Sequence, residues 1–299
     1  MQKKDLELMI KISIIVPVYN MVNTINKTLD SILGQQYENL ELIVMDGNSN
    51  DGTKEKLESR KEDFQILISE ADNGQYAAIQ KGMQLATGEI VSWLNADDIY
   101  FPWTLHKINF FFTKFPQTNW IAGLPSFLDN SGDLTHMYNN LSSRPQKSIQ
   151  KGAFRKGVFG YLQQESMFYK KSLWDKVGGL NLGYKLAGDF ELWTRFAKEA
   201  SIVSVNIPLS GFRKDSNSRS RKHIILYENE VSEIIHKLGN KNKTIKFISK
   251  SAILNKILRL MIWKKQEVIF YSITKRQWCF EKVYRPISTI SFSTLKLEI

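Results

Sequence analysis

The sequence predicts an α/β fold with a mostly parallel central sheet flanked by helices. Short β-branched segments typical of buried strands begin near residues 11, 40, 64 and 89, and patterns typical of amphipathic helices lie between them. Polar turn-forming residues follow several of these segments. This alternation predicts parallel strands joined by right-handed crossovers, with helices on both faces of the sheet.

Each predicted element has a local basis in the sequence. Pro17 lies near the end of the first strand, where a missing N–H is tolerated. The first helix carries an apolar stripe that includes Ile25, Leu29 and Ile32, and Gly34 is a plausible stop. The predicted strands are residues 11–18, 40–45, 64–69, 89–94 and 201–206, and the predicted helices are residues 25–33, 75–87, 102–115, 172–176, 189–199 and 223–238.

The stretch Ser92–Tyr100 concentrates polar groups at the end of the fourth strand. Its sequence, SWLNADDIY, places Asn95, Asp97 and Asp98 directly after a buried apolar segment. Oxygen ligands of this kind suit a hard divalent cation, and ligands of open α/β sheets bind beyond the carboxyl ends of strands. The alternative is a polar turn that caps the next helix, with Pro102 in its first position.

Further acidic residues lie at other element ends. Asp46 and Asp51 follow the second strand, where they could be turn residues. Asp189 lies at the start of a helix in the stretch AGDFELW, where it could be the N-cap. The residues by themselves leave these alternatives open.

Composition and spacing exclude several classes of function. The one cysteine, Cys279, rules out an internal disulfide and a multi-cysteine metal site. The four histidines have no metal-ligand spacing, and there is neither a Gly-x-Gly-x-x-Gly loop after the first strand nor a Walker-type loop. Residues 1–239 carry 28 Lys and Arg against 27 Asp and Glu, which gives no electrostatic reason to expect nucleic acid.

Four stretches together resemble glycosyltransferase family 2, the inverting enzymes of the GT-A fold. The resemblance covers roughly residues 11–215, and it implies a nucleotide-sugar-binding fold and a nucleotide diphosphate sugar as donor. Each motif is weak alone, whereas four in this order and spacing are specific. The stretches are SIIVPVYN (13–20), LELIVMDGNSNDGT (40–53), DNGQYAAIQKGMQLATGEIVSWLNADD (72–98) and QQESMFYKKSLWDKVGGLNLGYKLAGDFELWTRFA (163–197).

The resemblance implies a donor site and a divalent cation, Mn²⁺ or Mg²⁺. A metal would neutralise the charge that develops on the leaving diphosphate. Asn95-Ala96-Asp97 is similar to the family's acid-x-acid motif, with Asp97 as the main ligand and Asn95 in place of the commoner Asp. Many relatives have a second Asp where this chain has Gly47, which leaves the nucleotide base undetermined. The residues implied to line the nucleotide-sugar pocket are Pro17, Tyr19, Asp46, Asp97 and Gln164.

The resemblance also implies a general base. Inverting transfer needs a group that removes the proton of the acceptor hydroxyl, and Asp189 matches the position of the family's base. Relatives often carry an acid just before it, where this chain has Gly188. Glu191 is the reserve candidate, and Arg213 is left outside the core site as a solvated loop residue.

The implied function is transfer of a sugar to a saccharide or lipid-linked saccharide in surface polysaccharide or glycolipid biosynthesis. An alternative is a non-catalytic nucleotide-sugar-binding module with a degenerate site, favoured by Asn95 and Gly188. Retention of Asp97, Asp98 and Asp189 argues against that alternative. A nucleic-acid-binding protein is a third class, which rests on the basic tail alone.

The C-terminal tail differs from the rest of the chain. Residues 240–299 carry 13 Lys and Arg against 3 Asp and Glu, and residues 243–265 have apolar side chains at helical spacing. The sequence therefore predicts a catalytic domain over 1–239 and a helical, basic, amphipathic extension over 240–299. The extension could bind an anionic membrane surface or cap the domain. With no secretory signal or membrane span in the sequence, we expect a cytoplasmic enzyme, peripheral at the inner face of the plasma membrane if the extension binds lipid.

Overall fold

The computed structural model describes residues 9–137, 144–155, 158–213, 222–239 and 263–286, and strands and helices alternate along much of this chain. The strands are β1 (Ile12–Val18), β2 (Leu40–Asp46), β3 (Ile66–Ser69), β4 (Ile90–Trp93), β5 (Ile99–Tyr100), β6 (Trp120–Leu124), β7 (Ser126–Leu128), β8 (Leu134–Met137), β9 (Met167–Lys170), β10 (Val203–Pro208), β11 (Ser210–Arg213), β12 (Trp263–Ser272) and β13 (Gln277–Pro286). The helices are α1 (Ile25–Leu33), α2 (Thr53–Glu58), α3 (Gln75–Leu85), α4 (Thr104–Lys114), α5 (Gln146–Gln150), α6 (Lys171–Val177), α7 (Gly188–Glu199) and α8 (Ile224–Lys237).

The central sheet brings the ends of several strands to one edge. Its order is β13-β12-β10-β6-β9-β4-β1-β2-β3, in which β9 and β13 run antiparallel to their neighbours. β1 lies between β2 and β4 and is parallel to both, with Val18 opposite Asp46 and Ile15 opposite Trp93. The polar residues that follow these three strands therefore share the carboxyl edge of the sheet, where ligands of such folds bind.

Apolar side chains cover both faces of this sheet, because the strand residues are buried on both sides. On one face, Ile14 and Val16 of β1 pack with α1 and α4. On the other face, Trp93 of β4 stacks on Trp193 of α7, with ring centroids 5.7 Å apart. This stack fixes α7 against the sheet, and the first turn of α7 carries Asp189.

The predicted α/β class and mostly parallel sheet are confirmed, and the predicted helices and strands lie within a few residues of the observed ones. The region 117–170 has the least periodic sequence, yet it contains β6 and β9, two strands of the central sheet. A second sheet, with the order β5-β11-β7-β8, lies beside the acidic turn that follows β4. Its strands are too short for sequence periodicity to reveal them.

The predicted helical C-terminal extension is wrong for the residues that the structure describes there. β12 and β13 form an antiparallel hairpin, and β12 joins the central sheet parallel to β10, with Ile269 opposite Val205. Trp278 packs edge-on against Phe111 of α4, with centroids 5.0 Å apart. Aromatic and β-branched residues favour this half-buried strand environment. Residues 240–262 and 287–299 lie outside the described ranges, so the helix predicted over 243–262 and the domain boundary at residue 240 stay predictions.

Within the described ranges, none of the helices combines the length and the apolar composition that crossing a membrane requires.

Candidate active site

The loop after β2 is organised by the carboxylate of Asp46. This side chain is only 2% exposed, and it accepts hydrogen bonds from the hydroxyls of Ser49 and Ser69, each at 2.5 Å. Asn20, just after β1, donates its backbone N–H to the Ser49 hydroxyl at 2.8 Å. These contacts join the ends of β1, β2 and β3, so Asp46 shapes the pocket that the sequence predicted for the nucleoside.

Gly47, the residue after Asp46, lies close to the side chains of Asp72 and Tyr19. An added methyl carbon at Gly47 would lie 3.0 Å from Oδ2 of Asp72 and 3.3 Å from the ring of Tyr19. Tyr19 is 58% exposed, which leaves its ring face available to a ligand, whereas Pro17 is buried within β1 opposite Met45. The Asp72 carboxylate thus lies close to the position where many family members carry a second acid.

The two acids of the turn after β4 have different environments. Asp98 is fully buried, and its carboxylate accepts hydrogen bonds from the backbone N–H of Arg213 (2.9 Å) and the amide of Asn95 (3.2 Å). Burial, and then the charges of Asp97 and Glu165, raise the pKa of Asp98 well above its usual range. Asp98 is therefore part of the framework of the turn, and Asp97 is the partly exposed acid.

The predicted solvation of Arg213 is wrong. Arg213 is 3% exposed at the end of β11, and its guanidinium donates to the backbone carbonyls of Asp97 (2.8 Å), Asp129 (3.0 Å) and Asn130 (2.7 Å). A planar guanidinium can hold several carbonyls at once. Arg213 therefore holds the backbone of the acidic turn in place. Its side chain does not face solvent, because the second sheet covers it.

The residues of this turn fit a divalent cation only in part. No group of three or more His, Cys, Asp or Glu in the described ranges is arranged to hold a metal. The amide oxygen of Asn95 already accepts a 2.7 Å hydrogen bond from Gln75, and its nitrogen donates to Asp98. Both ends of the Asn95 amide are thus engaged by other side chains of the protein. One carboxylate suits Mg²⁺ or Mn²⁺ when substrate phosphates and water complete the coordination.

The short turn Gln164–Ser166 lies against the end of β4 and against β11. Gln164, a predicted site residue, is 8% exposed and donates to the carbonyl of Trp93 at 2.6 Å. The sequence prediction missed Glu165, which is 3% exposed. Burial, together with the charges of Asp97 and Asp189, raises the pKa of Glu165 to about 8. The signal in the sequence that could have identified Glu165 is an acid two residues before the apolar strand β9.

Asp189 lies in the first turn of α7. The helix begins at Gly188 and its N-cap position is Ala187, so Asp189 is not the N-cap. Its Oδ1 accepts hydrogen bonds from the N–H of Phe190 at 2.8 Å and the hydroxyl of Tyr76 at 3.2 Å. Burial raises the pKa of Asp189, and these hydrogen bonds oppose that shift in part.

Glu230 holds the segment that leads into Asp189, and the sequence analysis did not identify it. Its carboxylate, on α8, accepts the backbone N–H groups of Lys185 (2.8 Å), Leu186 (2.9 Å) and Ala187 (2.8 Å). It is only 8% exposed. Three charge-assisted hydrogen bonds from consecutive N–H groups fix the backbone of this segment.

Glu191, the reserve base, is engaged elsewhere. Its carboxylate forms an ion pair with Arg195 one turn later, with contacts of 2.8 and 2.6 Å. Arg195 also donates to the carbonyls of Val177 and Gly179, so the pair joins α7 to the end of α6. Of the two candidate bases, Asp189 is the one whose charge acts on Glu165.

The arrangement brings together three acids that are far apart in the sequence. The charges of Asp97 and Asp189 both act on Glu165, so its carboxyl lies within electrostatic range of each. Asp97 offers an oxygen ligand that suits a metal–diphosphate group, and Asp189 offers a half-buried carboxylate that suits the removal of a proton. Such a pair suits displacement at a carbon atom held between them.

Comparisons with known proteins show which proteins this chain is similar to. The model of Glycosyl transferase family 2 matches residues 13–176, more than half of the chain. A protein of Rickettsia felis described as an uncharacterized glycosyltransferase is 28% identical over 193 residues. That alignment covers 64% of this chain but only 32% of the relative, so the chain spans about a third of that protein's length.

Two solved structures share the fold. S. aureus TarS 1-349 in complex with UDP-GlcNAc matches with a TM-score of 0.57 at 16% identity, over 78% of this chain and 73% of that chain. Mannosyltransferase PcManGT from Pyrobaculum calidifontis, in complex with GDP-Man and Mn²⁺, matches with a TM-score of 0.52 at 18% identity, over 81% of this chain and 73% of that chain. The fold is therefore that of GT-A glycosyltransferases.

Proposed function

Because the chain belongs to glycosyl transferase family 2, we propose that it transfers a sugar, with inversion, from a nucleotide diphosphate sugar to a saccharide or lipid-linked saccharide. The observation that carries this proposal is the half-buried Asp189, held in the first turn of α7 by hydrogen bonds from Tyr76 and the N–H of Phe190. One base and one metal-binding acid are the groups that a single displacement needs.

The donor would bind along the carboxyl edge of β1, β2 and β4. The nucleoside would occupy the pocket shaped by Asp46 and Tyr19, with Pro17 behind it and Gln164 near the sugar. Asp72, beside Gly47, would supply the carboxylate that position 47 lacks. A carboxylate there can accept an N–H from a base, so it would contribute to the choice of nucleotide.

Asp97 would hold Mn²⁺ or Mg²⁺ together with the diphosphate. Asn95 would support the metal site by orienting Asp98, in addition to any direct contact with the cation. When bound, the cation supplies a Lewis acid for the leaving diphosphate. Arg213 keeps the backbone of Asp97 in place through its 2.8 Å hydrogen bond. We propose that the transfer reaction depends on this metal.

Asp189 would remove the proton from the acceptor hydroxyl. A raised pKa makes the Asp189 carboxylate a stronger base, which suits this role. Tyr76 and the N–H of Phe190 orient the carboxylate through Oδ1. The Oδ2 atom would then face the acceptor.

The proposal also covers the acceptor and the location of the enzyme in the cell. The tail of 13 Lys and Arg against 3 Asp and Glu supports an anionic surface as a neighbour. We propose a cytoplasmic enzyme of surface polysaccharide or glycolipid biosynthesis that binds the inner face of the plasma membrane peripherally. Flotation with anionic liposomes at low salt tests this, and a chain that stays in the soluble fraction contradicts it.

The test of the reaction itself is a transfer and hydrolysis assay with a panel of UDP- and GDP-sugars, with and without Mn²⁺. We expect turnover of at least one donor, dependence on Mn²⁺, and a product whose anomeric proton shows β linkage from an α-linked donor. Binding without any turnover would favour the non-catalytic module, which Asn95 and Gly188 support. A retained α linkage would contradict inversion.

A further inference from the structure

Tyr161 is an exposed aromatic residue on a fixed backbone. Its side chain is 53% exposed, whereas the next residue, Leu162, is buried in the apolar cluster that covers one face of the central sheet. Two positions earlier, Phe159 packs edge-on against Phe154, with ring centroids 5.8 Å apart, and its N–H donates to the carbonyl of Ala153 at 3.1 Å. These contacts fix the backbone on both sides of Tyr161 while its ring lies at the surface.

The ring of Tyr161 packs against Tyr227 of α8. The two ring centroids are 6.2 Å apart, and the ring planes are inclined by 60°. Tyr227 is half-buried, because it packs against the apolar cluster that contains Ala187 and Phe190. The Tyr161–Tyr227 pair therefore presents an aromatic surface to solvent and is held from behind by α8.

This aromatic pair lies beside the proposed base. Asp189 directly precedes Phe190, one of the residues of the cluster against which Tyr227 packs. Glu230, one turn after Tyr227 on α8, accepts the N–H of Ala187 at 2.8 Å. The same face of α8 thus contacts the segment that leads into Asp189. The pKa of Tyr227 agrees with this placement, since burial and then the charge of Asp189 raise it.

The pair lies on the side of the sheet away from the proposed nucleoside pocket. That pocket is built by the ends of β1, β2 and β3, which form one end of the sheet. Tyr161 belongs to the segment that leads into β9, and β9 lies on the other side of β4. The donor and the aromatic pair can therefore occupy different parts of the same carboxyl edge.

We propose that the Tyr161–Tyr227 pair binds a sugar ring of the acceptor saccharide, next to the hydroxyl that Asp189 deprotonates. This inference rests on the proposed function. One face of a sugar ring carries C–H groups, which pack on an aromatic ring while the hydroxyls bond to water or to polar groups. Tyrosine provides such contact area at a low cost in conformational entropy, and its phenol hydroxyl can also bond to a sugar hydroxyl.

The surroundings of the pair favour a neutral ligand with hydroxyl groups. Asp189 and Glu230 place carboxylates nearby, so a phosphate group bound on the pair would meet like charges. An acyl chain could pack on the two rings, but it would make no use of their hydroxyls. A saccharide uses both the ring faces and the hydroxyls.

The first test is a titration of the full chain, labelled with ¹³C in its tyrosine rings, with methyl glycosides of glucose, galactose, mannose and N-acetylglucosamine. Tyr161→Phe and Tyr227→Phe identify the two ring signals. We expect at least one glycoside to shift both signals in a saturable manner, with or without UDP or GDP and Mn²⁺. Dihexanoylphosphatidylcholine below its micelle concentration is the lipid probe. Ring signals that respond to this lipid but to no glycoside, or to neither, overturn the proposal.

The second test compares variants with the glycoside that binds. Tyr161→Leu keeps an apolar side chain but removes the ring, so we expect a dissociation constant roughly 3- to 10-fold higher, followed through the Tyr227 signal. Tyr161→Phe keeps the ring and should remain within about 3-fold of the wild type.

Tyr271→Leu is the matched control for the loss of the ring. Tyr271 is 45% exposed on β12 and packs edge-on against Trp278, with ring centroids 5.7 Å apart. Its variant should bind the glycoside as the wild type does. Unchanged binding by Tyr161→Leu, or an equal loss in Tyr271→Leu, overturns the proposal.

Donor measurements separate this inference from the proposed function. Binding and hydrolysis of the nucleotide sugars should be the same in Tyr161→Leu as in the wild type, because the ring contacts the acceptor. Donor binding that falls as much as glycoside binding would indicate a structural role and overturn the inference. If the wild type hydrolyses a donor and no glycoside reaches the pair, the inference alone fails. If glycosides bind at the pair and no donor binds, the proposed function fails and the ligand of the pair is a saccharide other than an acceptor.

Discussion

The ring of Tyr76 occupies the space that a side chain at Gly188 would need. An added methyl carbon at Gly188 would lie 2.7 Å from Cε2 of that ring, closer than carbon atoms approach in folded proteins. The hydroxyl of the same tyrosine contacts Asp189 and the carbonyl of Leu186. The space beside Gly188, where the family resemblance leads us to expect an acid, is thus filled by a tyrosine from α3 that contacts Asp189, the proposed base.

The first prediction tests this replacement. In an unhindered helix, Gly188→Ala would stabilise by up to about 1 kcal/mol. Here we expect it to displace Tyr76, lower the unfolding temperature and reduce turnover by at least about 10-fold. The double variant Gly188→Ala with Tyr76→Ala removes the clash and should recover stability relative to Gly188→Ala alone. Additive losses of stability in the double variant would contradict the direct contact.

The second prediction concerns the pH dependence of the base. Asp189 is active when ionised, and its raised pKa places the acidic limb of kcat/KM above the usual Asp range. Tyr76→Phe removes a hydrogen bond that stabilises the carboxylate, so the limb should move to higher pH. Glu230→Gln removes a nearby negative charge that raises the pKa of Asp189, so the limb should move to lower pH. Shifts in the same direction for both variants would contradict Asp189 as the base.

The third prediction separates the two adjacent acids after β4. Asp97→Ala should reduce transfer at least about 100-fold and weaken Mn²⁺ binding, while the unfolding temperature changes little, because the side chain is partly exposed at a strand end. Asp98→Ala should instead lower the unfolding temperature, because it removes acceptors for Arg213 and Asn95. Calorimetric Mn²⁺ titration and thermal unfolding check both. Near-normal turnover of Asp97→Ala after chelation and return of the metal would exclude it as the ligand.

The fourth prediction concerns Glu230. Replacing it by Ala leaves the N–H groups of Lys185, Leu186 and Ala187 without their acceptor, and each buried unsatisfied group costs about 1–3 kcal/mol. We expect a loss of at least about 2 kcal/mol in the free energy of unfolding, measured in urea. Turnover should fall further than donor affinity, because the segment positions Asp189. Glu228→Ala, an exposed change on the same helix, is the matched control.

The fifth prediction concerns stability away from the site. Burial of Glu41 raises its pKa, but hydrogen bonds from Lys11, Ser13 and Thr87 outweigh this and lower the pKa to about 2. The lowered pKa of Glu41 stabilises the fold at pH values above 4.5, the pKa of this group in the unfolded chain. That stabilisation is lost as the pH falls towards 2. Glu41→Gln should therefore cost about 1–3 kcal/mol at pH 7 and roughly half of that near pH 3, where the folded protein still keeps most of this carboxyl ionised.

Urea unfolding at both pH values measures this difference. Glu38→Gln, at an exposed position nearby in the chain, should change stability little at either pH. An equal loss for Glu41→Gln at pH 7 and pH 3 would show that its charge does not stabilise the fold.

The sequence by itself determined the α/β class, the approximate bounds of 11 of the 21 described helices and strands, and the positions of Asp46, Asp97 and Asp189. These follow from local patterns: β-branched runs, helical stripes and acids directly after strands, which the parallel strands β1, β2 and β4 bring to one edge. Family resemblance then assigned expected roles to residues that the local patterns alone left open.

Only the tertiary structure decided which distant residues surround those acids. Tyr76, Glu165, Arg213 and Glu230 lie on different elements, and their packing against Asp97 and Asp189 depends on contacts between residues far apart in the chain. The tail shows the same limit, because helical spacing over 243–265 extended the predicted helix into β12. Pairing with β10 overrides that local pattern, since a strand is stabilised by hydrogen bonds to a neighbour that periodicity cannot identify.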